Sequence, residues 1–178
     1  MKGSTEMLAR PMEDLDLKGK SVFLRLDLNV PLTDQQAVRD ESRIEKALPT
    51  IRYLLERTSK VCLASHLGRP KTPYDKKYSL EPVAAILAKH LKKEVVLVSD
   101  YDKEPVDQVM NQMGSNQVVL LENLRFFPGE LHNEKDFSEK LAKGIDVYIN
   151  DAFGALHREH ASVDRLAKMF SHEQKAAG

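Results

Sequence analysis

The chain has 178 residues, enough for one domain with a substantial core. Its 27 basic and 27 acidic residues cancel, which argues against a global electrostatic grip on nucleic acid or anionic lipid, so any preference for anions must be local. A single cysteine excludes an internal disulfide and no apolar stretch is long enough to span a bilayer, which together point to a soluble, cytoplasmic protein.

Met1 to about Lys18 is mixed and polar and reads as a loosely held lead-in, and Met1–Arg10 lacks the apolar centre of a secretory signal. A strand is expected over about 20–28 and a helix over about 43–57. Ser42 and Glu45 have capping-box spacing, and Ile44, Ala47, Leu48, Ile51, Leu54 and Leu55 share one helical face. Pro49 is expected to kink this helix or make its first turns irregular. A second strand at about 60–65 leads into a polar loop from Gly68 to Lys77. Ser79 is placed to cap the next helix, whose apolar face is Leu80, Val83, Ala84, Leu87 and Leu91. A third strand at 95–98 follows, then a short helix from Glu104 to Met113 closed by Gly114, and a fourth strand at 118–121. A helix from Asn133 to Lys143, ended by Gly144, precedes a fifth strand at 146–149, and from Ser162 the pattern is weakly helical. The alternation predicts a single α/β domain over residues 1–178, three-layered, with a mostly parallel sheet and helices on both faces.

Four strands end abruptly in polar clusters. Ligands of such sheets bind beyond the carboxyl ends of the strands, so the clusters predict a site for a small, multiply charged anion. Asp27 and Asn29 follow the first strand and share a side of it; they either meet a hydroxylated ligand or form an Asx turn. Arg43 stands at a helix start, where the dipole disfavours a cation; it either holds an anion with the helix end or pairs with Glu41 or Glu45. His66, Gly68 and Arg69 follow the second strand, with Gly68 allowing close backbone approach and His66 either a donor or a structural imidazole. Arg125 after the fourth strand either binds an anion bidentately or pairs with Glu122 or Glu130. His157 and His160 flank Arg158 without a third ligand at metal-binding spacing, so no metal site is expected. Cys62 lies in an apolar run and reads as a buried small hydrophobe. Neither a P-loop nor a G-x-G-x-x-G turn is present, and no Ser/His/Asp spacing demands nucleophilic catalysis.

Taken in order, these stretches resemble phosphoglycerate kinase. They are Arg25-Leu26-Asp27-Leu28-Asn29-Val30-Pro31, Ser42-Arg43-Ile44, Ala47-Leu48-Pro49-Thr50-Ile51, Ala64-Ser65-His66-Leu67-Gly68-Arg69-Pro70, Leu120-Leu121-Glu122-Asn123-Leu124-Arg125-Phe126, and Asn150-Asp151-Ala152-Phe153-Gly154 through His157-Arg158-Glu159-His160-Ala161-Ser162. They run from about residue 14 to the end, and one alone would be weak while the ordered set is specific. Leu28 replaces a usual Phe, and Val163-Asp164 breaks the family's small-residue run, leaving the path of the last segment open.

The resemblance implies the amino-terminal, Rossmann-like domain of that glycolytic kinase, cut at a domain boundary. It implies substrate-binding roles for Asp27, Asn29, Arg43, His66, Arg69, Arg125 and Arg158, with Arg43 also stabilising the transferring phosphoryl group. It implies 3-phosphoglycerate as the small-molecule partner, with no nucleic acid or membrane partner, and a monomer whose Mg-ATP or Mg-ADP would be bound by a carboxy-terminal domain of the same enzyme. The isolated domain is then expected to lack turnover. A non-catalytic anion-binding or protein-interaction module that keeps the fold is the alternative.

Overall fold

Runs such as Val22-Phe23-Leu24 and Val118-Val119-Leu120 are wholly buried, as strands covered on both faces must be. The computed structural model describes residues 10–178. It contains six strands: β1 (Ser21–Arg25), β2 (Lys60–Ala64), β3 (Glu94–Val98), β4 (Gln117–Leu121), β5 (Val147–Asn150) and β6 (Lys175–Ala177). Six helices accompany them: α1 (Ser42–Leu55), α2 (Glu81–Leu91), α3 (Val106–Gln112), α4 (Pro128–Leu131), α5 (Lys135–Ala142) and α6 (Arg165–Lys168). The strands form one sheet in the order β3-β4-β2-β1-β5-β6, and every pairing is parallel.

Alternate strand residues point to opposite faces, and the core divides accordingly. Val22, Leu24, Val61, Leu63, Val118 and Leu120 pack with α1 and α2. Phe23, Cys62, Ala64, Val119, Leu121 and Tyr148 pack with α3, α5 and α6. Crossovers moving toward β3 therefore use one face and those moving toward β6 use the other, which keeps a single hand throughout. The chain reverses direction at β1, flanked by β2 and β5, and a topological switch of this kind opens a crevice at the carboxyl ends of the strands.

Several local expectations are corrected. β1 ends at Arg25, so Asp27 and Asn29 lie in the following loop rather than on a strand face. There the Asn29 N–H donates to Asp27 Oδ1 at 3.2 Å, the Asx turn that was one of two readings. Helix α1 runs unbroken through Pro49. Of the three anticipated helix caps only Ser79 bonds its own helix: its hydroxyl accepts from the Glu81 N–H at 3.1 Å, although Leu80 occupies the cap position of α2. Ser42 hydrogen-bonds Asp40, and Asn133 adopts φ +52° two residues before α5. Helix α3 closes on extended Met113 rather than on Gly114. Two elements were unanticipated: α4, and β6, which pairs with β5 over Tyr148–Asn150.

The lead-in is docked where it is described. Pro11 bridges Ala177, and the Arg10 carbonyl accepts from the Ala177 N–H at 3.1 Å. The rest of that expectation, residues 1–9, and the reading of Met1–Arg10 as lacking a secretory signal lie largely outside the described residues. Among the described residues no helix is long and apolar enough to cross a membrane.

Candidate functional site

The carboxyl ends of β1, β2, β4 and β5 carry the polar clusters, and the loops between them are tied together by side chains. Glu122, at the end of β4, is buried and accepts from the Ser79 hydroxyl at 2.7 Å, the Leu80 N–H at 2.7 Å and its neighbour Asn123 N–H at 2.9 Å. A carboxylate thus satisfies free donors at the start of α2, where negative charge is favoured. Asn123 is fully buried; its Oδ1 accepts from Leu67 N–H and Arg125 N–H, each at 3.1 Å, and its Nδ2 donates to the Leu67 and Tyr78 carbonyls. These bonds fix the β2 and β4 loops against each other and set where Arg125 emerges.

Gly68 lies at the centre of this arrangement. Its N–H donates to Asn29 Oδ1 at 2.8 Å and its carbonyl accepts from Arg125 Nη1 at 2.8 Å. Its φ is +59°, and an added Cβ would stand 2.5 Å from the Tyr78 ring. What requires glycine here is therefore the left-handed backbone and the Tyr78 ring.

Five of the seven sequence candidates line one of two cavities, and the other two are held by hydrogen bonds nearby. Arg69, Arg125 and Arg158 line one of about 230 Å3, with Pro70, Leu131 and His160. No acidic residue lines it. Burial first, then the charges of Arg158, Arg25 and Arg69, pull the Arg125 guanidinium down to about 10, so it remains charged at neutral pH. Asp27 and Arg43 line the second cavity, of about 420 Å3, with Lys46, Asp151 and Phe153. Arg43 Nη1 donates to Asp27 Oδ1 at 2.9 Å, so its ion-pair partner is Asp27, not Glu41 or Glu45. Asn29 and His66 line neither cavity: Asn29 accepts from the Gly68 N–H and His66 Nδ1 lies 3.0 Å from Arg25 Nη2. Arg125 pairs with neither Glu122 nor Glu130; its one side-chain bond runs to the Gly68 carbonyl.

His66 is 7 % exposed. Burial, then the charges of Arg25, Arg125, Arg158 and His160, hold its imidazole down at about 2, so it is neutral in the folded chain. His160 is lowered too, again by burial first and then by Arg125, Arg158 and Arg25. Among the described residues no three His, Cys, Asp or Glu side chains converge as metal ligands.

Sequence reading passed over the residues beneath the cavity. Arg25 is 1 % exposed inside an all-buried strand. Glu130 is equally buried and accepts from the Ser162 N–H at 2.9 Å and its hydroxyl at 2.8 Å. The signal was present in Val22-Phe23-Leu24-Arg25-Leu26, because a charge inside a buried strand requires a partner.

A family model described as phosphoglycerate kinase matches residues 12–178. The phosphoglycerate kinase of Nitratiruptor sp. is 46% identical over 173 residues, which is 97% of this chain and 43% of that protein. That of Campylobacter hominis is 49% identical over 162 residues, 90% of this chain and 40% of that protein. The solved phosphoglycerate kinase from Coxiella burnetii superposes with a TM-score of 0.80 at 34% identity, covering 95% of this chain and 41% of that one. The crystal structure of the Pyrococcus horikoshii enzyme gives the same score and identity over 94% of this chain and 42% of that one. The chain thus spans less than half the length of the relatives it matches.

Proposed function

The chain belongs to the phosphoglycerate kinase family, and from that premise we propose that it binds 3-phosphoglycerate as one half of an enzyme transferring a phosphoryl group reversibly between 1,3-bisphosphoglycerate and ADP. One observation carries the substrate reading: three guanidinium groups line a single cavity with no acidic residue on its wall. Like charges brought together raise the free energy of the empty site, and a multiply charged anion lowers it again.

Arg69, Arg125 and Arg158, with His66, grip the phosphate and carboxylate of the substrate. Guanidinium forks suit both groups because their paired donors match paired oxygens. Asp27 and Asn29 meet the hydroxyl and carboxylate region. Arg43 spends one of its five donors on Asp27 and keeps the others for the phosphoryl group in transfer. A cytoplasmic setting agrees with the one free, buried thiol, Cys62.

The attacking group is a carboxylate oxygen of the substrate. It forms the new O–P bond to the γ-phosphorus of ATP while the bond to the ADP oxygen breaks and ADP leaves with the electron pair. A carboxylate with a pKa of about 4 is already ionised at neutral pH, so no general base is required. Asp27 and Glu122 therefore act by hydrogen bonding, and catalysis rests on positioning and on neutralising oxygen charge.

The magnesium nucleotide does not suit the donors here. The first cavity is lined by cations, the two carboxylates of the second are engaged, Asp27 by Arg43 and Asp151 by the Thr50 hydroxyl, and no group of three metal-ligating side chains is available among the described residues. We assign it to residues outside this chain. Calorimetric titration of the chain with 3-phosphoglycerate tests the substrate reading: a single saturable site is expected, weakened about tenfold by Arg158→Ala, and absence of binding refutes it. Steady-state assay of the same chain with ATP and magnesium is expected to give no turnover.

A further inference from the structure

The buried charge beneath the anion cavity has a use that the binding roles above do not cover. Glu130 Oε1 accepts from the Ser162 hydroxyl at 2.8 Å, and Ser162 Oγ accepts from Arg25 Nε at 2.9 Å. Arg25 Nη2 lies 3.0 Å from His66 Nδ1, and its Nη1 donates to the Leu26 carbonyl. A guanidinium has no acceptor atom, so His66 Nδ1 must be the acceptor of this contact. The ring proton of the neutral imidazole then belongs on Nε2. The four side chains come from distant parts of the chain, the end of β1, the loop after β2, α4 and the loop after β5, so the register of the whole crevice sets this one proton.

We propose that Glu130, Ser162 and Arg25 form a buried hydrogen-bond chain that fixes His66 as the Nε2–H tautomer, making it a permanent neutral donor to the anion. Glu130 is the anchor. Its carboxylate supplies the one buried negative charge set against Arg25 and Arg125. Ser162, 0 % exposed, passes its orientation to Arg25 by accepting with its lone pair and donating with its proton. Arg25 and Glu130 are thus positioning residues, acting through His66.

The groups facing His66 are Arg25 from β1, Arg125 from the loop after β4, and Arg158 and His160 from the loop after β5; none is acidic, so nothing around the ring favours a second proton. A donor that never titrates keeps anion affinity independent of the protonation of His66 itself.

The substrate part of this inference rests on the anion-binding reading, but the tautomer does not, and it is read directly. Two-bond 1H–15N correlation spectra of the whole chain labelled at histidine should show His66 with a protonated Nε2 and a bare Nδ1, unchanged from about pH 5 to 8. In Ser162→Ala and Arg25→Lys the His66 signals should become a mixture of tautomers and begin to titrate, whereas Ser162→Thr, which keeps the hydroxyl, should preserve the single form. Affinity for 3-phosphoglycerate should fall about tenfold in Ser162→Ala. A protonated Nδ1, or titration of His66 inside that pH range in the unaltered chain, overturns the proposal without any variant having to fold. The expected tautomer with no response of His66 to 3-phosphoglycerate supports the hydrogen-bond chain and counts against the substrate reading.

Discussion

Two charged residues at the mouth of the crevice separate function from stability. Arg43 is about half exposed and its pair with Asp27 is open to water. Such pairs contribute about 0–1 kcal/mol. Arg43→Ala should therefore leave the urea-unfolding free energy within about 1 kcal/mol of the parent while anion affinity falls. Glu122 behaves oppositely. Its carboxylate is buried and satisfies the Ser79 hydroxyl and two backbone N–H groups. Glu122→Ala leaves those donors without a partner and should cost about 2–4 kcal/mol in the same unfolding measurement. A loss below about 1 kcal/mol would mean that water replaces the carboxylate freely. Sequence alone could not sort these two residues. Each stands beside a plausible partner along the chain, and the partner that wins, Asp27 for Arg43 and Ser79 for Glu122, is 16 and 43 residues away.

At the scale of elements, what was legible was whatever writes itself as a run. β1, β2, β4 and β5 were readable because strands buried on both faces need apolar side chains at nearly every position, β3 because its Val95–Val98 run is apolar although only partly covered at the sheet edge, and α1 and α2 because their apolar residues recur at helical spacing. β6 was not, since Lys175-Ala176-Ala177 carries no pattern and is a strand only because β5 offers it a ladder. Caps were reshaped for a related reason. Ser42 turns to neighbouring Asp40 instead of its own helix, whereas Ser79 accepts from the Glu81 N–H of its helix while donating to Glu122, so a tertiary or neighbouring carboxylate enters both local motifs. The loop glycines show the same division. Gly68 has φ +59° and a Cβ there would meet the Tyr78 ring at 2.5 Å, whereas at Gly154 the nearest atom is Asp27 Oδ2 at 3.5 Å. Gly68→Ala should destabilise by about 2–4 kcal/mol, from left-handed strain and overpacking together, and Gly154→Ala by less than about 1 kcal/mol. Thermal unfolding of the two variants side by side checks this, and equal losses would refute it.

Across the whole molecule the charges sum to zero, yet the switch at β1 gathers Arg25, His66, Arg69, Arg125 and Arg158 at one end of the sheet. Zero net charge hid this concentration from composition, and only the ordered motifs revealed it. The gathering has a consequence for acid stability whose sign is fixed. His66 titrates near 6.5 when unfolded but is held to about 2 when folded, by burial first and by the surrounding guanidinium groups second. A depressed folded value means that the unfolded chain binds the extra proton, so this group leaves stability unchanged above pH 6.5 and removes it as pH falls from 6.5 toward 2. The limiting slope is about 1.4 kcal/mol per pH unit. Glu130 works in the other direction: burial raises its carboxyl, so the folded state takes up a proton before the unfolded one and stability is recovered on acidification. The two effects are separable, because His66→Asn keeps an acceptor oxygen facing Arg25 but cannot be protonated. Urea unfolding from pH 7 to pH 4 should show the parent losing stability faster than His66→Asn, by about 1–3 kcal/mol at the acid end. Parallel pH profiles for the two proteins would mean that the imidazole is protonated in the folded crevice, and the neutral donor on which the anion site is built would be absent.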